Sequence, residues 1–487
     1  MKRRNIIFIM LAMVATTAVA HNFEVKNADG ASVWYNDVTA TYGSNAVEVT
    51  FSGTWYNAVK DEYKNDIVIP DSITTGGNKY RVVGIGEQAF SFCSSLKSIT
   101  IPESIEYIKD KAFEACYRLM TVNYNAINCK DLTLPQFAPF SFGNMAYSEY
   151  VYDADGDPES FWSAYGLRTV NIGANVEHIP AYMFYGMGGG LQQADLTVRP
   201  IKIENSKVGV TKINFLGSPK SIGNQAFRAC RLLREITIPA GVTSLGQALF
   251  ANCDTLSKVV LPEGIEEIPA YFFSTCKEMS VFNLPSTVKA INFESFKNCE
   301  KLTEITLPEG LTTVGPSAFR ACENLKTVNL PSTLTNIDGY AFSDCTSLEE
   351  ITIPAAVEGI GNYAFEDCTH LKTVKMEGNT KLIGNFVFAG CMNLSAGEFY
   401  APKKMPQISD NTFEGVSNTM KVIVEGGDET EYRQDENWGR FFMPTAVENV
   451  EKAEGRHARK VMRDGAIYIE KEGRYFDILG SEVKLKD

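Results

Sequence analysis

The chain has 487 residues, of which 44% are hydrophobic and 22% charged, and its net charge is −13. This is the composition of an ordered protein. Its acidity argues against a nucleic-acid binder or a polybasic membrane-surface protein, since both need a basic footprint.

The first element reads as an export signal. Lys2, Arg3 and Arg4 are basic, Ile6 to Ala15 is apolar, and Ala18-Val19-Ala20 is a small-residue cleavage site. The layout predicts a secretory signal peptide over 1–20, with the mature chain starting at His21. The first cysteine is Cys93, so an N-terminal lipid anchor is not expected. No later run of eighteen apolar residues occurs, so no membrane-spanning helix is expected either. Residues 21–80 alternate in the β manner ("SVWYNDVTATYG", "AVEVTFSG", "NDIVIPDSI") and predict an N-terminal β cap.

From residue 81 the chain repeats itself. "LPEGLTTVGPSAFRAC" (307–322) is followed by "LPSTLTNIDGYAFSDC" (330–345), and cysteine recurs at every 23rd residue from Cys230 to Cys391, with Cys93 and Cys116 at the same spacing. In the unit 325–347, Leu325, Val328 and Leu330 are apolar, with Val328 and Leu330 on one face of a strand. Pro331 ends the pairing, Leu334 and Ile337 resume the apolar face, and Asp338-Gly339 turns the chain before Ala341, Phe342 and Cys345. One copy cannot bury so many apolar groups, but stacked copies can. Phenylalanine keeps the same phase at Phe90, Phe113, Phe184, every 23rd residue from Phe227 to Phe388, and Phe413. A stacked aromatic spine with about 4.8 Å between rungs is expected, serving packing rather than a cofactor.

The pattern Leu-x-x-Ile-x-Ile-Pro-x-x-Val-x-x-Ile-Gly-x-x-Ala-Phe-x-x-Cys is similar to the repeat of the BspA-like leucine-rich repeat family of bacterial surface and secreted proteins. "LEEITIPAAVEGIGNYAFEDC" (348–368) matches at every marked position. The resemblance runs over about 81–416 and implies a β-rich α/β solenoid of about 12–13 turns, with parallel strands on the concave face. It also implies adhesion to host proteins, matrix glycoproteins or neighbouring cells, and the chain is expected to be a monomer.

Cysteines in an exported chain suggest disulfides, but equivalent positions one rung apart lie about 4.8 Å from each other, too far for relaxed disulfide geometry. Buried free thiols in a small apolar slot are expected, and the absence of Cys-x-x-Cys gives metal ligation no local support. Cys129 falls outside the phase.

Regularity fails between Cys116 and Cys230, where inserts are expected at about 143–165 and 188–207. The first carries Tyr147, Tyr150, Tyr152, Phe161, Trp162 and Tyr165. Inserts emerge as loops on one face of a solenoid, so these aromatics are ligand-contact candidates, the alternative being that they fold back over a flank. Asp153, Asp155 and Asp157 alternate there, yet Pro158 and Ala164 stand where an EF-hand needs glycine and glutamate. A looser calcium site and a solvated acidic turn remain the two readings. On the strand face, Thr100, Thr237, Thr306, Asn329, Thr352, Glu235, Lys258, Glu304 and Glu350 are expected to point outward, for solubility or as a broad docking surface.

The C-terminal end reads as a cap over 417–443, in which Trp438 and Phe441 cover the last rung, a polar linker over 444–460, and a β tail over 461–487. "YFDILGSEVK" in the tail is similar to the end of the sorting domain used by type IX secretion, the alternative being an autonomous hairpin module. Catalysis finds little support: the four histidines, His21, His178, His370 and His457, sit in no recognisable motif, and no cofactor is implied. The sequence therefore points to a secreted or surface-displayed repeat protein that binds extracellular macromolecules. A non-adhesive envelope scaffold is the alternative, and glycan capture a lesser one.

Overall fold

A computed structural model describes residues 22–26, 30–52, 62–93, 95–114, 116, 118–132, 167–185, 210–378 and 380–442, with the strands 458–463, 466–471, 474–476 and 482–483. The chain forms two compact units, residues up to 265 with 269–279, and residues 266–268 with 280 onward. Each is a stack of short parallel strands repeated rung by rung, so the expected fold class holds.

The first unit opens with an antiparallel sheet of Phe23–Lys26, Ser32–Asp37 and Ala46–Thr50. Ala46–Thr50 then pairs in parallel with Asn78–Ile85, which passes the parallel direction to Tyr107–Ile108. A second sheet runs in the order Asn65–Val68, Leu96–Ile101, Thr121–Tyr124, Thr169–Ile172 and Lys212–Phe215. Val122 pairs with Val170 and Val170 with Ile213, separations larger than 23, yet the register continues unbroken. The extra chain leaves and returns between strands, as an insert on a solenoid must.

In the second unit the strand face comprises Val281–Asn283, Glu304–Thr306 and Thr327–Val328, then Glu350–Ile353, Thr373–Met376, Glu398–Ala401 and Lys421–Val424. A narrower ladder runs through Glu267–Ile268, Ala290–Ile291, Thr313–Val314, Asn336–Ile337, Gly359–Ile360 and Leu382–Ile383. The proline between the two ladders starts a turn: Leu311, Leu334 and Val357 donate their N–H to the carbonyls of Pro308, Pro331 and Pro354 at 3.0–3.1 Å. The glycine after the narrow strand has a steric reason. A Cβ on Gly361 would lie 2.4 Å from the Gly339 nitrogen on the preceding rung, so a side chain there would force the rungs apart.

A third ladder surrounds each spine phenylalanine. Glu294, Phe296 and Asn298 donate to the carbonyls of Pro316, Ala318 and Arg320 at 2.8–3.0 Å. From Phe90 to Phe388 the described residues two before and two after each spine phenylalanine take left-handed backbone, as Glu294 (φ 53°) and Asn298 (φ 58°) do. Left-handed backbone disfavours non-glycine residues by about 1–2 kcal/mol, and the inter-rung hydrogen bonds offset it.

The aromatic spine is present. In the first unit Phe184, Phe227, Phe250 and Phe273 stack with centroids 5.8–6.1 Å apart. In the second, Phe296, Phe319, Phe342, Phe365, Phe388 and Phe413 stack at 5.2–5.6 Å, with interplanar angles of 18° or less. Leu325, Leu334, Ile337, Phe342 and Cys345 are fully buried, whereas Leu330 is only half-buried.

All eleven cysteines are free and buried. Their slot is not purely apolar, however. Cys116, Cys253, Cys276, Cys322, Cys345, Cys368 and Cys391 each lie 2.9–3.3 Å from the carbonyl of the phenylalanine 26 residues earlier, to which the S–H donates. Cysteine thus ties each rung to the main chain of the one before, at a carbonyl that also accepts the N–H of the cysteine three residues on in its own rung, as Phe342 does from Cys345 at 3.2 Å. Burial pushes the Cys230 thiol up to about 12, and the Cys116, Cys253, Cys322, Cys345, Cys368 and Cys391 thiols are raised for the same reason. Since the thiolate is the reactive form, native protein is expected to resist a thiol-specific reagent that modifies all eleven groups after denaturation. Rapid modification of the native ladder would contradict this packing.

The second unit ends in the short helix Thr430–Gln434 and the 3-10 turn Gly439–Phe441. Trp438 is fully buried and Phe441 nearly so. Farther on, 458–463, 466–471, 474–476 and 482–483 form an antiparallel sheet of their own.

Candidate functional site

The sequence candidates Tyr147, Tyr150, Tyr152, Phe161, Trp162 and Tyr165, and the acidic trio Asp153, Asp155 and Asp157, lie outside the described residues. What the structure does describe is the rung from which that insert departs. Just before it, Asp131 Oδ1 accepts from His178 Nε2 at 2.8 Å and from the Ala181 N–H at 2.7 Å. His178 Nδ1 lies 2.7 Å from Ser221 Oγ on the next rung. A carboxylate can only accept, so a neutral His178 carries its proton on Nε2 and receives the Ser221 hydroxyl at Nδ1.

Serine, histidine and aspartate in a row invite a catalytic reading, which the surrounding backbone opposes. The Ser221 N–H donates to the Glu177 carbonyl at 3.3 Å, and the Gly223 N–H to that of Ile179 at 2.8 Å. The amides that could stabilise an oxyanion are engaged in the ladder. The network instead fixes Asp131 to the next rung. Sequence reading missed it because the three residues lie 47 and 43 positions apart, and only the inserted rung's register brings them together.

The strand face is polar in both units. In the first, Asn214 Nδ2 donates to Asn171 Oδ1 and Asn171 Nδ2 to Asn123 Oδ1, both at 2.7 Å, and Asn123 Nδ2 donates to Thr100 Oγ1 at 3.0 Å. This amide ladder continues the main-chain pairing in the side chains. Thr237, Glu235 and Lys258 are exposed beside one another, Lys258 lying 3.8 Å from Glu235. In the second unit Glu304, Thr306, Asn329 and Glu350 are exposed and Thr352 is half-buried, as the alternation predicts. Asn329, Glu350 and Thr352 line an open cleft of about 490 Å³ together with Glu309, Ser332 and Glu377, among others. Among the described residues no group of three His, Cys, Asp or Glu is placed to hold a metal ion, and no helix is long and apolar enough to cross a membrane.

On the turn edge of the second unit lies a further feature. Tyr340, Tyr363 and Phe386 stack at 4.6 and 4.9 Å with interplanar angles of 3° and 8°. The Arg320 guanidinium sits 5.2 Å from the Tyr340 ring and 3.4 Å from Asp344. These aromatics occupy the left-handed position two before each spine phenylalanine. The signal was in the sequence, as aromatics 23 residues apart, but the spine beside them masked it.

Stacked parallel rungs with a buried leucine, isoleucine and phenylalanine framework define a leucine-rich repeat protein. Residues 63–189, 203–306 and 289–420 match the family model of the BspA type leucine-rich repeat region, in six copies. The chain belongs to that family. No curated protein matches it. Similar solved structures include a leucine-rich repeat protein from Bacteroides ovatus, 22% identical over 80% of this chain and 98% of that one, with a TM-score of 0.39. A leucine-rich cell surface protein from Faecalibacterium prausnitzii is 20% identical over 84% and 96%, TM-score 0.40. The pneumococcal vaccine antigen PcpA is 19% identical over 83% and 99%, TM-score 0.43.

Proposed function

We propose that the protein is exported through residues 1–20 and acts outside the cytoplasm, secreted or held at the cell surface, as a non-enzymatic adhesin. Its partners on this reading are host or matrix proteins and neighbouring cells, bound through many weak contacts over an extended face. One observation carries the reading. The buried positions repeat almost unchanged from rung to rung, while the exposed strand positions vary among Thr, Asn, Glu, Lys and Val, and an open cleft lies beside them in the second unit. Such a surface suits a broad macromolecular partner better than a small molecule, which favours an enclosed, mostly apolar pocket. The insert aromatics Tyr147, Tyr150, Tyr152, Phe161, Trp162 and Tyr165 are its proposed anchors, and the tail 461–487 its proposed sorting signal.

The test is binding of the mature chain to immobilised matrix glycoproteins and to epithelial cells, beside a variant lacking 143–165 and a Glu304→Gln/Glu350→Gln variant. Saturable binding lost with the insert assigns the site to its aromatics. Binding weakened by the strand-face variant assigns it to the sheet. No binding to any surface overturns adhesion and leaves an envelope scaffold as the function.

A further inference from the structure

The fold does not require an aromatic at the left-handed position before the spine. Gln225, Ala248, Glu294 and Ser317 occupy it on other rungs with φ of 51–56°, close to the 58–62° of Tyr340, Tyr363 and Phe386. Bulky side chains are unusual in this conformation. A run of three therefore calls for a reason beyond the fold, and stacking supplies only part of one.

The two ends of the run differ. At one end the Arg320 guanidinium covers the Tyr340 face and is held by Asp344. At the other, Phe386 stacks on Tyr363 through one face, and among the described residues no ring or cation covers its second. Arg320 directly follows the spine residue Phe319, one rung before Tyr340. The residue directly following the spine on the rung after Phe386 is Glu414, an exposed carboxylate. The end that carries its own guanidinium is thus answered by an end whose half-buried ring has, among the described residues, neither a second ring nor a cation on it, beside a negative charge. Carboxylates dominate the flank between them. Asp367 and Asp344 act on Glu366 and, with burial as the larger cause, hold its carboxyl above the ordinary range, with Arg320 the opposing cation. Glu366 and Glu414 both act on the Tyr363 hydroxyl.

We propose that this strip is a docking site for an arginine-bearing, extended segment of a protein partner. One guanidinium stacks on the face of Phe386 turned away from Tyr363, beside Glu414, as Arg320 stacks on Tyr340 beside Asp344, and further basic residues run along Glu366 and Asp367. Arginine suits the place better than lysine, because its planar cation stacks on a ring while donating to a carboxylate. The strip lies on the turn edge rather than the strand face or the insert, so it stands or falls separately from the adhesion surfaces above.

The experiment is fluorescence-anisotropy titration of the full mature chain with labelled hexa-arginine, hexa-lysine and hexa-glutamate peptides. Hexa-arginine is expected to bind more tightly than hexa-lysine, and hexa-glutamate not at all. Phe386→Leu keeps an apolar side chain but removes the face, and should weaken hexa-arginine binding about three-fold. Phe386→Trp should preserve or strengthen it, since tryptophan is the best cation–π partner. Glu366→Gln with Glu414→Gln should weaken it about ten-fold, while Glu304→Gln with Glu350→Gln removes equal charge from the strand face and should leave it nearly unchanged. Circular dichroism melts of every variant establish that each is folded. Equal losses from the two glutamine pairs, or no difference among Phe, Leu and Trp at 386, would show diffuse acidity rather than a site and overturn the proposal.

Discussion

Replacing Phe342 by alanine is expected to lower stability by about 3–5 kcal/mol, the range for a fully buried phenylalanine. The ring has no exposed surface and is stacked between Phe319 at 5.2 Å and Phe365 at 5.3 Å. Its main chain is engaged on both sides as well: the N–H donates to the Ala364 carbonyl at 2.8 Å, and the carbonyl accepts the Cys368 thiol at 3.2 Å. Truncation leaves those main-chain bonds in place, so the loss comes from apolar burial and from a cavity bounded by two rings. Urea unfolding followed by tryptophan fluorescence and by circular dichroism measures it. Tyr363→Ala, on the half-exposed strip beside the spine, should cost much less. Equal costs at the two positions would mean that the spine is not the core of the array.

Periodicity made the core legible. A 23-residue recurrence of leucine, isoleucine, phenylalanine and cysteine admits one physical solution, a stack in which every copy is buried by its neighbours. The cysteines were legible only in part. Ladder spacing correctly excludes disulfides, but the thiol's acceptor, a carbonyl 26 residues earlier, depends on a left-handed turn that side-chain pattern does not announce. Among the described residues twenty-one non-glycine residues have positive φ, and apart from Asn45 and Asn65 they all flank the spine. Residues as different as Lys111, Ser317 and Tyr363 occupy such positions, so no residue type marks them in the sequence.

Surface features were harder to read for a related reason. Burial constrains side-chain type, whereas an exposed rung position accepts almost any residue that the pleat or turn tolerates. The asparagine ladder of Asn123, Asn171 and Asn214 could not be aligned by eye, since two inserts separate its members. The His178 network depends on the same interrupted register. Tyr340, Tyr363 and Phe386 needed no such alignment, but a second aromatic series of identical period beside them drew the periodic signal to the core.

The array's end provides the other large effect. Trp438→Ala is expected to cost about 3–5 kcal/mol, concentrated in the last rungs of the second unit. Trp438 is fully buried, packs its ring 5.5 Å from both Phe413 and Phe399, and donates Nε1–H to the Pro406 carbonyl at 3.0 Å. Tyr432 closes the other side at 5.3 Å and donates its hydroxyl to the Pro402 carbonyl at 2.6 Å. Without the indole, the spine's final ring keeps Phe441, 5.3 Å away, as its only aromatic cover from the 3-10 turn and its flank, and Pro406 loses its donor. A terminal rung has a neighbour on one side only, so its opening need not unfold the interior. The cysteine ladder reads that distinction directly. In Trp438→Ala, Cys391, near the cap, should become reactive to a thiol reagent well before Cys322, three rungs closer to the interior. Trp438→Phe keeps most of the apolar mass and loses the hydrogen bond, so it should cost nearer 1 kcal/mol beyond the lost packing. Simultaneous exposure of Cys391 and Cys322 would mean that the second unit unfolds as one body, and that the cap stabilises the whole of it rather than its last turns.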